Sequence, residues 1–165
     1  MPEDDQTSSA EEPQESLDND AMTQPAEESL ASDMGVPQRD EPRRRSTNDE
    51  VELIHRHAFL AAATASGMKA EEIRILDVHE LVPYTDFLVI CNGRSVRQTR
   101  RIAEEIGFKL KSELERVPKQ VEGQASGEWV LMDYLDFIVH VFTPEAREFY
   151  RLDVLWKEAP REVLE

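Results

Sequence analysis

Cysteine is nearly absent from the sequence, with one among 165 residues, so no intramolecular disulfide can form. Such scarcity is typical of proteins that work in a reducing cytosol. No apolar run approaches the roughly 20 residues that a membrane-spanning helix needs. The acidic amino terminus lacks the apolar stretch of a signal peptide and has the wrong charge for a transit peptide. We therefore expect a cytoplasmic protein with no membrane association.

Aromatic residues are absent from the first 48 positions, which also contain five of the nine prolines. The same stretch has thirteen acidic and four basic residues. A segment this polar cannot bury enough apolar surface to offset the backbone entropy lost on ordering, about 1–2 kcal/mol per residue. Residues 1–48 are therefore predicted to be a disordered acidic tail, and residues 49–165 a single folded domain. The basic run Arg43–Arg45 is interpreted as solvated linker charge.

Basic residues are also in short supply, with 19 against 35 acidic residues and a net charge of −16. Broad binding to a nucleic-acid backbone needs a basic patch that displaces counterions, so direct DNA binding is not expected. An acidic protein can still act on a nucleoprotein particle by docking onto one of its basic proteins. The charge balance therefore favours a protein partner over nucleic acid.

The folded region is predicted to begin with an amphipathic helix. Thr47 and Glu50 have the spacing of a capping box, and apolar residues then recur at helical spacing over residues 48–66. Gly67 is predicted to stop this helix.

Two strands and a second helix are predicted next. The strands are Ile73–Val78 and Phe87–Cys91, and the second is continuously apolar, so it should be covered on both faces. Ser95 and Gln98 form another capping box at the start of the second helix, and Pro118 closes the helical region.

The C-terminal part is predicted to contain three more strands and a last helix. A weak strand around Val121 precedes a β-hairpin made of Glu128–Asp133 and Phe137–Phe142. Thr143 and Pro144 supply an N-cap and a first-turn proline for the last helix. The order α-β-β-α-β-β-β-α predicts an α/β fold with a mixed sheet of about five strands and helices packed on it.

One strand-to-helix turn has the composition of an anion site. Gly93 precedes the helix cap Ser95, and a helix N-terminus presents free N–H groups to an anion. An ordinary turn uses the same residue types, and this structural interpretation is favoured. Nucleotidyl transfer also needs two carboxylates on one strand face. Asp133 and Asp136 lie three residues apart across a turn, so we do not expect them to share a metal ion.

Other residue types suited to metal binding or nucleophilic catalysis are isolated. His55 and His57 are two residues apart on a helix and do not face each other, and His79 has no cysteine nearby. His140 lies in an apolar strand and is interpreted as a hydrogen-bonded core or interface histidine. Cys91 also lies in an apolar strand and is interpreted as an inert, buried thiol. The sequence therefore predicts no catalytic residue, no metal site and no cofactor.

The first hairpin strand is rich in large residues on both faces. Strand alternation gives two sets, namely Trp129, Leu131 and Asp133 on one side and Val130, Met132 and Tyr134 on the other. A core explains one side. Either the strand is sandwiched between helices, or one end meets a partner, for which Trp and Tyr are typical anchors.

Short motifs follow one another in a specific order through the folded region: Leu76-Asp77-Val78, Thr85-Asp86-Phe87, Gly93-Arg94-Ser95-Val96-Arg97-Gln98, Val121-Glu122-Gly123, Trp129-Val130-Leu131-Met132-Asp133-Tyr134, Asp136-Phe137-Ile138-Val139-His140-Val141-Phe142, Arg147-Glu148-Phe149-Tyr150-Arg151-Leu152 and Leu155-Trp156. Each motif alone is weak, but their joint order is specific. With them, residues from about 51 to 160 resemble the ribosomal silencing factor family, also known as RsfS, YbeB or Iojap.

The resemblance implies a nucleotidyltransferase-like fold without enzymatic activity. It also implies a partner, the large-subunit ribosomal protein L-fourteen, at the face that meets the small subunit. A factor bound there would sterically block subunit association and repress translation, particularly when nutrients are scarce. Members of the family are known as dimers, and relatives in organelles act in large-subunit assembly, so a homodimer and a role in ribosome biogenesis are also implied.

The resemblance places a partner-binding hairpin at Trp129, Asp133, Tyr134 and Asp136. Asp133 would pair with a basic side chain of the ribosomal protein. The chain departs from the family at Leu135, where the family often has glycine, so its turn is expected to differ. The long acidic tail is a second departure.

Two other functions stay open. The first is a nucleotidyltransferase-like enzyme that binds phosphate or nucleotide at Gly93 and Ser95, although the sequence offers no same-face pair of carboxylates near that turn. The second is a hairpin that mainly forms a homodimer. This second function does not exclude a ribosomal partner, because one surface could serve both in turn.

Overall fold

The structure is a computed structural model, and it describes residues 43–165. The prediction of a disordered tail falls mostly on residues 1–42, which lie outside the described residues. Within the described part the elements are, in chain order, α1 Asn48–Gly67, β1 Glu71–Asp77, β2 Phe87–Asn92, α2 Val96–Leu114, β3 Gln120–Glu122, β4 Trp129–Asp133, β5 Phe137–Phe142, α3 Pro144–Tyr150, α4 Leu152–Leu155 and β6 Arg161–Leu164.

The six strands of residues 43–165 form one mixed sheet in the order β3-β4-β5-β2-β1-β6. The central strands β2 and β5 run parallel, from the pair Phe87 and Phe137 to the pair Asn92 and Phe142, and the other neighbours are antiparallel. Both central strands are buried along their whole length. The predicted α/β class, with a continuously apolar second strand covered on both faces, is confirmed.

Two apolar clusters cover the two faces of the sheet. Helices α1 and α2 pack on one face, where α1 contributes four buried alanines whose small side chains permit a close approach: Ala58, Ala61, Ala62 and Ala65. On the other face, Leu152 and Trp156 from the C-terminal segment pack against Leu88 and Leu131. The hairpin strand is therefore sandwiched, which explains its large residues on both sides.

The first helix begins as predicted. Thr47 Oγ1 accepts from the Glu50 N–H, and the Glu50 carboxylate accepts from the Thr47 N–H at 2.7 Å, so the capping box is complete. The helix ends at Gly67, but the residue with positive φ is Lys69, at 60°. Gly67 therefore does not supply the left-handed conformation that commonly follows a helix C-terminus.

The cap of α2 differs from the predicted capping box in one hydrogen-bond partner. Ser95 Oγ accepts from the Gln98 N–H at 3.2 Å, as expected. The Gln98 side chain accepts instead from the Arg94 N–H at 2.8 Å. The first turn of α2 is thereby tied to the residue before its cap.

The C-terminal segment was only partly predicted. The last helix begins after the Thr143 cap as expected, but it divides into two short helices at Arg151, whose φ is 50°. Strand β6 was not predicted. It pairs with β1 at the edge of the sheet and is largely exposed, so it lacks an apolar signature. Its partner strand, rather than its own sequence pattern, makes it a strand.

Candidate functional site

The four predicted partner-binding residues do not form one continuous surface. Asp133, Tyr134 and Asp136 lie at the tip of the β4–β5 hairpin. Trp129 begins β4 and pairs with Phe142, at the opposite end of the two strands. About 13 Å of strand, at roughly 3.3 Å per residue, separates the two places.

Asp133 is a buried residue that stabilises the turn. Its residue is only 2 % exposed, and its Oδ1 accepts a hydrogen bond of 2.7 Å from the Leu135 N–H. Asp side chains commonly stabilise turns by binding the backbone two residues ahead. Its backbone oxygen accepts from the Lys119 N–H at 2.7 Å. A basic side chain of a partner would reach this carboxylate only after the turn had moved.

Tyr134 belongs to the core in this conformation. Its residue is 2 % exposed, and its ring stacks on Phe137 with 4.8 Å between centroids. Burial raises the pKa of Tyr134 to about 12. Its hydroxyl is buried without a hydrogen-bond partner among the described residues. The predicted contact with a partner needs the hairpin to open and remains a prediction.

Asp136 is clamped to the helical layer by Arg116, which follows α2. The guanidinium donates to both carboxylate oxygens, at 3.0 and 2.5 Å, and to the Tyr134 carbonyl at 2.9 Å. It also donates to His57 Nδ1 at 3.1 Å. Burial and then the positive charge of Arg116 lower the pKa of His57, which favours the neutral, accepting ring. Paired hydrogen bonds of this kind fix orientation as well as distance.

Leu135 occupies a strained position at the hairpin tip. Its φ is 76°, in the left-handed region that a bulky side chain rarely adopts, and its residue is 41 % exposed. The left-handed conformation costs an L-residue roughly 1–2 kcal/mol. Hairpin turns with positive φ at this position normally use glycine, so the expected departure in the turn lies here. Backbone strain that the surroundings hold in place is typical of functional sites.

Trp129 is held in place at the other end of the hairpin. Its Nε1 donates to His140 Nδ1 at 3.0 Å, and its ring lies 5.0 Å from Phe142 and 4.4 Å from Tyr150. Burial lowers the pKa of His140 to about 3, so the imidazole is neutral at physiological pH. The interpretation of His140 as a hydrogen-bonded core histidine is confirmed.

An exposed apolar surface beside Trp129 was missed in the sequence. Phe149 and Leu152 are three positions apart, a spacing that would place both on one apolar face of a continuous helix. The structure leaves Phe149 80 % exposed while Leu152 is buried. The break at Arg151 reorients the chain between them, so helical periodicity does not extend across it. Large exposed apolar residues often mark a partner surface.

Arg147 is a second residue that the sequence did not reveal. It is 6 % exposed and donates to Asn92 Oδ1 at 2.9 Å, to the Glu72 carbonyl at 2.7 Å and to the Asp153 carboxylate at 3.0 Å. Burial raises the pKa of Asp153, but hydrogen bonds and charge from Arg147 and Arg74 together outweigh this effect and lower the pKa overall. Arg147 thereby ties the C-terminal helices to the ends of β1 and β2.

Gly93 and Ser95 have structural roles that account for both residues. A Cβ on Gly93 would lie 2.6 Å from Thr99 Oγ1 and 2.7 Å from its backbone nitrogen, so only glycine permits this approach to α2. Ser95 caps the helix. Burial raises the pKa of Cys91 to about 12, which leaves an unreactive thiol.

Residues 43–165 contain neither a cluster of metal ligands nor a membrane-spanning helix. No three His, Cys, Asp or Glu side chains in this part of the chain are placed to hold one metal ion. No helix there combines the length and apolar character needed to cross a membrane.

The basic run near the amino terminus is not simply solvated. Arg43 forms an ion pair with Asp86, and Ser46 Oγ donates to the same carboxylate at 2.7 Å. Arg44 pairs with Glu50 at 2.6 Å in an exposed position. The interpretation of Arg43 as free linker charge was therefore wrong, because the contact joins residues 43 positions apart and leaves no local pattern.

Comparisons with known proteins agree on one family. The family model described as "Ribosomal silencing factor during starvation" matches residues 51–165. The ribosomal silencing factor RsfS of Bacillus subtilis is 38% identical over 101 residues, which cover 61% of this chain and 85% of the relative. A mouse protein named "Mitochondrial assembly of ribosomal large subunit protein 1" is 30% identical over 90 residues, which cover 53% of this chain and 39% of the relative.

The fold is also shared with a solved structure. A crystal structure of a protein from Chromobacterium violaceum superposes with a TM-score of 0.61 at 34% identity, covering 63% of this chain and 86% of that protein.

Proposed function

The chain belongs to the ribosomal silencing factor family, and from that premise we propose that it binds ribosomal protein L-fourteen on the large subunit. In this position it blocks association with the small subunit and represses translation in the cytoplasm. The net charge of −16 supports a basic protein, rather than the ribosomal RNA, as the primary contact.

The observation that carries this proposal is the preorganised tip of the hairpin. Leu135 is exposed in a strained conformation, Asp133 binds its N–H, and Arg116 grips Asp136 beside it. A tip already held in one conformation loses little entropy when it binds. We propose that Leu135 and Asp136 contact the partner while Asp133 and Tyr134 support them.

Trp129 supplies a second, separate contact in this proposal. Its ring is half-buried and rests on Tyr150, which adjoins the exposed Phe149. Aromatic residues that are fixed before binding are common anchors of protein interfaces. The two contacts lie at the two ends of the hairpin, so a partner that reached both would cover the length of β4.

Steric blocking follows from the size of the domain. A compact domain of this length has a radius of gyration of about 14 Å. Direct contacts between ribosomal subunits need atoms within a few ångströms of each other. A domain bound at the joining face therefore holds the two surfaces apart without any catalytic step.

Binding is tested by co-sedimentation with isolated large subunits, followed by a light-scattering assay of subunit joining in the same tube. We expect the protein to sediment with large subunits and to lower the yield of joined ribosomes. Leu135→Ala is expected to weaken both effects, while Leu53→Ala, at a similarly exposed leucine on α1, leaves them unchanged. Equal binding by the two variants would refute the assigned surface, and no binding by the unaltered protein would refute the function.

Three further expectations belong to the same proposal. We propose a role in large-subunit assembly as well, supported by the name of the mouse relative. We also propose a homodimer, to be tested by light scattering across concentrations. We expect no enzymatic activity, because Gly93 and Ser95 serve packing and capping. If calorimetry showed micromolar, magnesium-dependent binding of a nucleotide, the result would instead support a nucleotidyltransferase-like enzyme.

A further inference from the structure

Asp86 lies at the same edge of the sheet as the hairpin tip. It immediately precedes β2, and Asp136 immediately precedes the parallel neighbour β5. The Asp86 N–H donates to the Asp136 carbonyl at 2.8 Å. The Asp86 carboxylate is therefore next to the surface that we propose for the partner.

The carboxylates at this edge obtain their cations from different parts of the chain. Asp136 is bound by Arg116, which lies within the family-matched residues 51–165. Asp86 is bound by Arg43, which lies before that region. The cation on Asp86 thus comes from outside the residues that the family model matches.

The surroundings of Asp86 suit a long basic side chain. A groove of about 280 Å³ lies beside this ion pair, and its lining residues are Arg43, Arg45, His79, Glu80, Leu81, Val82, Pro83 and Asp86. Apolar walls accommodate the methylene stem of an arginine or lysine, and the carboxylate receives the charged end. Arg43 itself shows that a guanidinium fits.

The described segment before α1 contacts the domain at two places. Arg43 and Ser46 cover Asp86, whose side chain is 3 % exposed, and Arg44 pairs with Glu50 in an exposed position. The exposed pair contributes little to stability, so the contact at Asp86 is the important one. A basic side chain of a docked protein reaches this carboxylate by replacing Arg43, and it then restores the same charge pairing.

We propose that Asp86 is a binding site for an arginine or lysine side chain of a basic partner protein, and that Arg43 occupies this site until the partner displaces it. The identity of that partner as a large-subunit protein rests on the proposed function. The segment from Arg43 to Ser46 then acts as a built-in competitor that lowers the apparent affinity by the fraction of molecules in which the site is closed.

Three variants of the full chain distinguish the role of Arg43 as a competitor from the role of Asp86 as a binding site. Arg43→Ala removes the competitor and keeps the site. Asp86→Asn removes the charge of the site. Arg44→Ala is the matched control, because it deletes the same charge from the neighbouring residue without touching Asp86.

The first measurement does not involve ribosomes. The peptide acetyl-Gly-Arg-Gly-amide is titrated into ¹⁵N-labelled protein, and the backbone amide signals of Asp86 and Phe87 are followed. We expect Arg43→Ala to reach half-saturation at a peptide concentration about threefold to tenfold lower than Arg44→Ala. Equal titration of these two variants, or no response in either, would overturn the proposal. Because Arg43 lies outside the sheet, this comparison stands even if Asp86→Asn folds poorly.

The second measurement is the affinity of each variant for isolated large subunits. We expect Arg43→Ala to bind more tightly than Arg44→Ala by a similar factor, and a folded Asp86→Asn to bind about tenfold more weakly than the unaltered protein. Weaker binding by Arg43→Ala, or unchanged binding by Asp86→Asn, contradicts the competition. If the unaltered protein does not bind large subunits, the proposed function fails, and the peptide titration alone decides whether Asp86 accepts a basic side chain.

Discussion

Arg116 and Asp136 join the helical layer to the hairpin tip through two hydrogen bonds, at 3.0 and 2.5 Å. The same guanidinium donates to the Tyr134 carbonyl, so one side chain fixes both the backbone and a carboxylate of the turn. The conformation of the tip therefore depends on a residue about 20 positions earlier in the chain.

Arg116→Lys should loosen the tip although it keeps the charge, because an ammonium cannot reproduce the two-pronged geometry. We expect a loss of about 1–2 kcal/mol in the free energy of unfolding, since the pair is only partly buried. Urea denaturation measures this loss, and amide hydrogen exchange at Leu135 should become faster. Lys109→Ala, which removes an exposed pair with Glu113, serves as the control and should change neither value measurably.

Leu135→Gly should raise stability and lower binding together. Glycine adopts a φ of 76° without strain, so we expect a gain of roughly 0.5–1 kcal/mol in the free energy of unfolding, partly offset by the entropy of the unfolded chain. Binding to large subunits should weaken because the exposed side chain is lost. Thermal unfolding and co-sedimentation are measured on the same sample. A variant that is less stable than the unaltered protein would show that the turn does not store strain.

His140 should make the protein less stable as the pH falls below about 6.5. Its pKa is about 3 in the folded protein and near 6.5 when unfolded, so between these values only the unfolded chain takes up the proton. The stability contribution is fully present above pH 6.5 and declines towards pH 3, by at most about 1.4 kcal/mol per pH unit.

The variant His140→Gln isolates this contribution from that of other titrating groups. Glutamine retains an acceptor for the Trp129 N–H but does not titrate in this range. Urea denaturation at pH 7.5 and 5.5 should show a smaller loss of stability in the variant than in the unaltered protein, with a difference of about 1 kcal/mol. The same loss in both proteins would mean that His140 does not stay neutral on folding.

Arg147→Ala should be destabilising. It leaves the buried Asn92 amide oxygen without the Arg147 donor, which costs about 1–3 kcal/mol. It also removes one of the two arginines that pair with Asp153, while Arg74 stays 3.1 Å from that carboxylate. Thermal denaturation measures the effect. Arg94→Ala is the matched control, because Arg94 is exposed and its ion pair among the described residues is with the exposed Glu71. The melting temperature of this variant should stay close to that of the unaltered protein.

Local signals allowed much of the fold to be predicted. The caps at Thr47, Ser95 and Thr143 each depend on residues within three positions, so their sequence spacing is sufficient to locate the helix starts. The hairpin is similarly local, because its two strands are adjacent in the chain. The sheet centre was recognisable because a strand buried on both faces must be apolar throughout.

The site was less predictable, since its residues are defined by what packs on them. Trp129 and Asp136 lie in consecutive sequence motifs, seven positions apart, yet the strand between them places them at opposite ends of the hairpin. Tyrosine is a typical anchor of protein interfaces, but Tyr134 stacks on Phe137 and belongs to the core. Burial of a particular side chain depends on distant elements that a local pattern does not contain.

The sequence by itself determined the helix caps, the alternation of the hairpin and the charge that favours a basic protein partner. These properties depend on neighbours within a few residues or on composition alone. Only the tertiary structure decided that β6 pairs with β1, that Phe149 points to solvent and that Arg43 closes on Asp86. Each of these outcomes depends on contacts between residues far apart in the chain, or on a single left-handed residue such as Arg151 that redirects it.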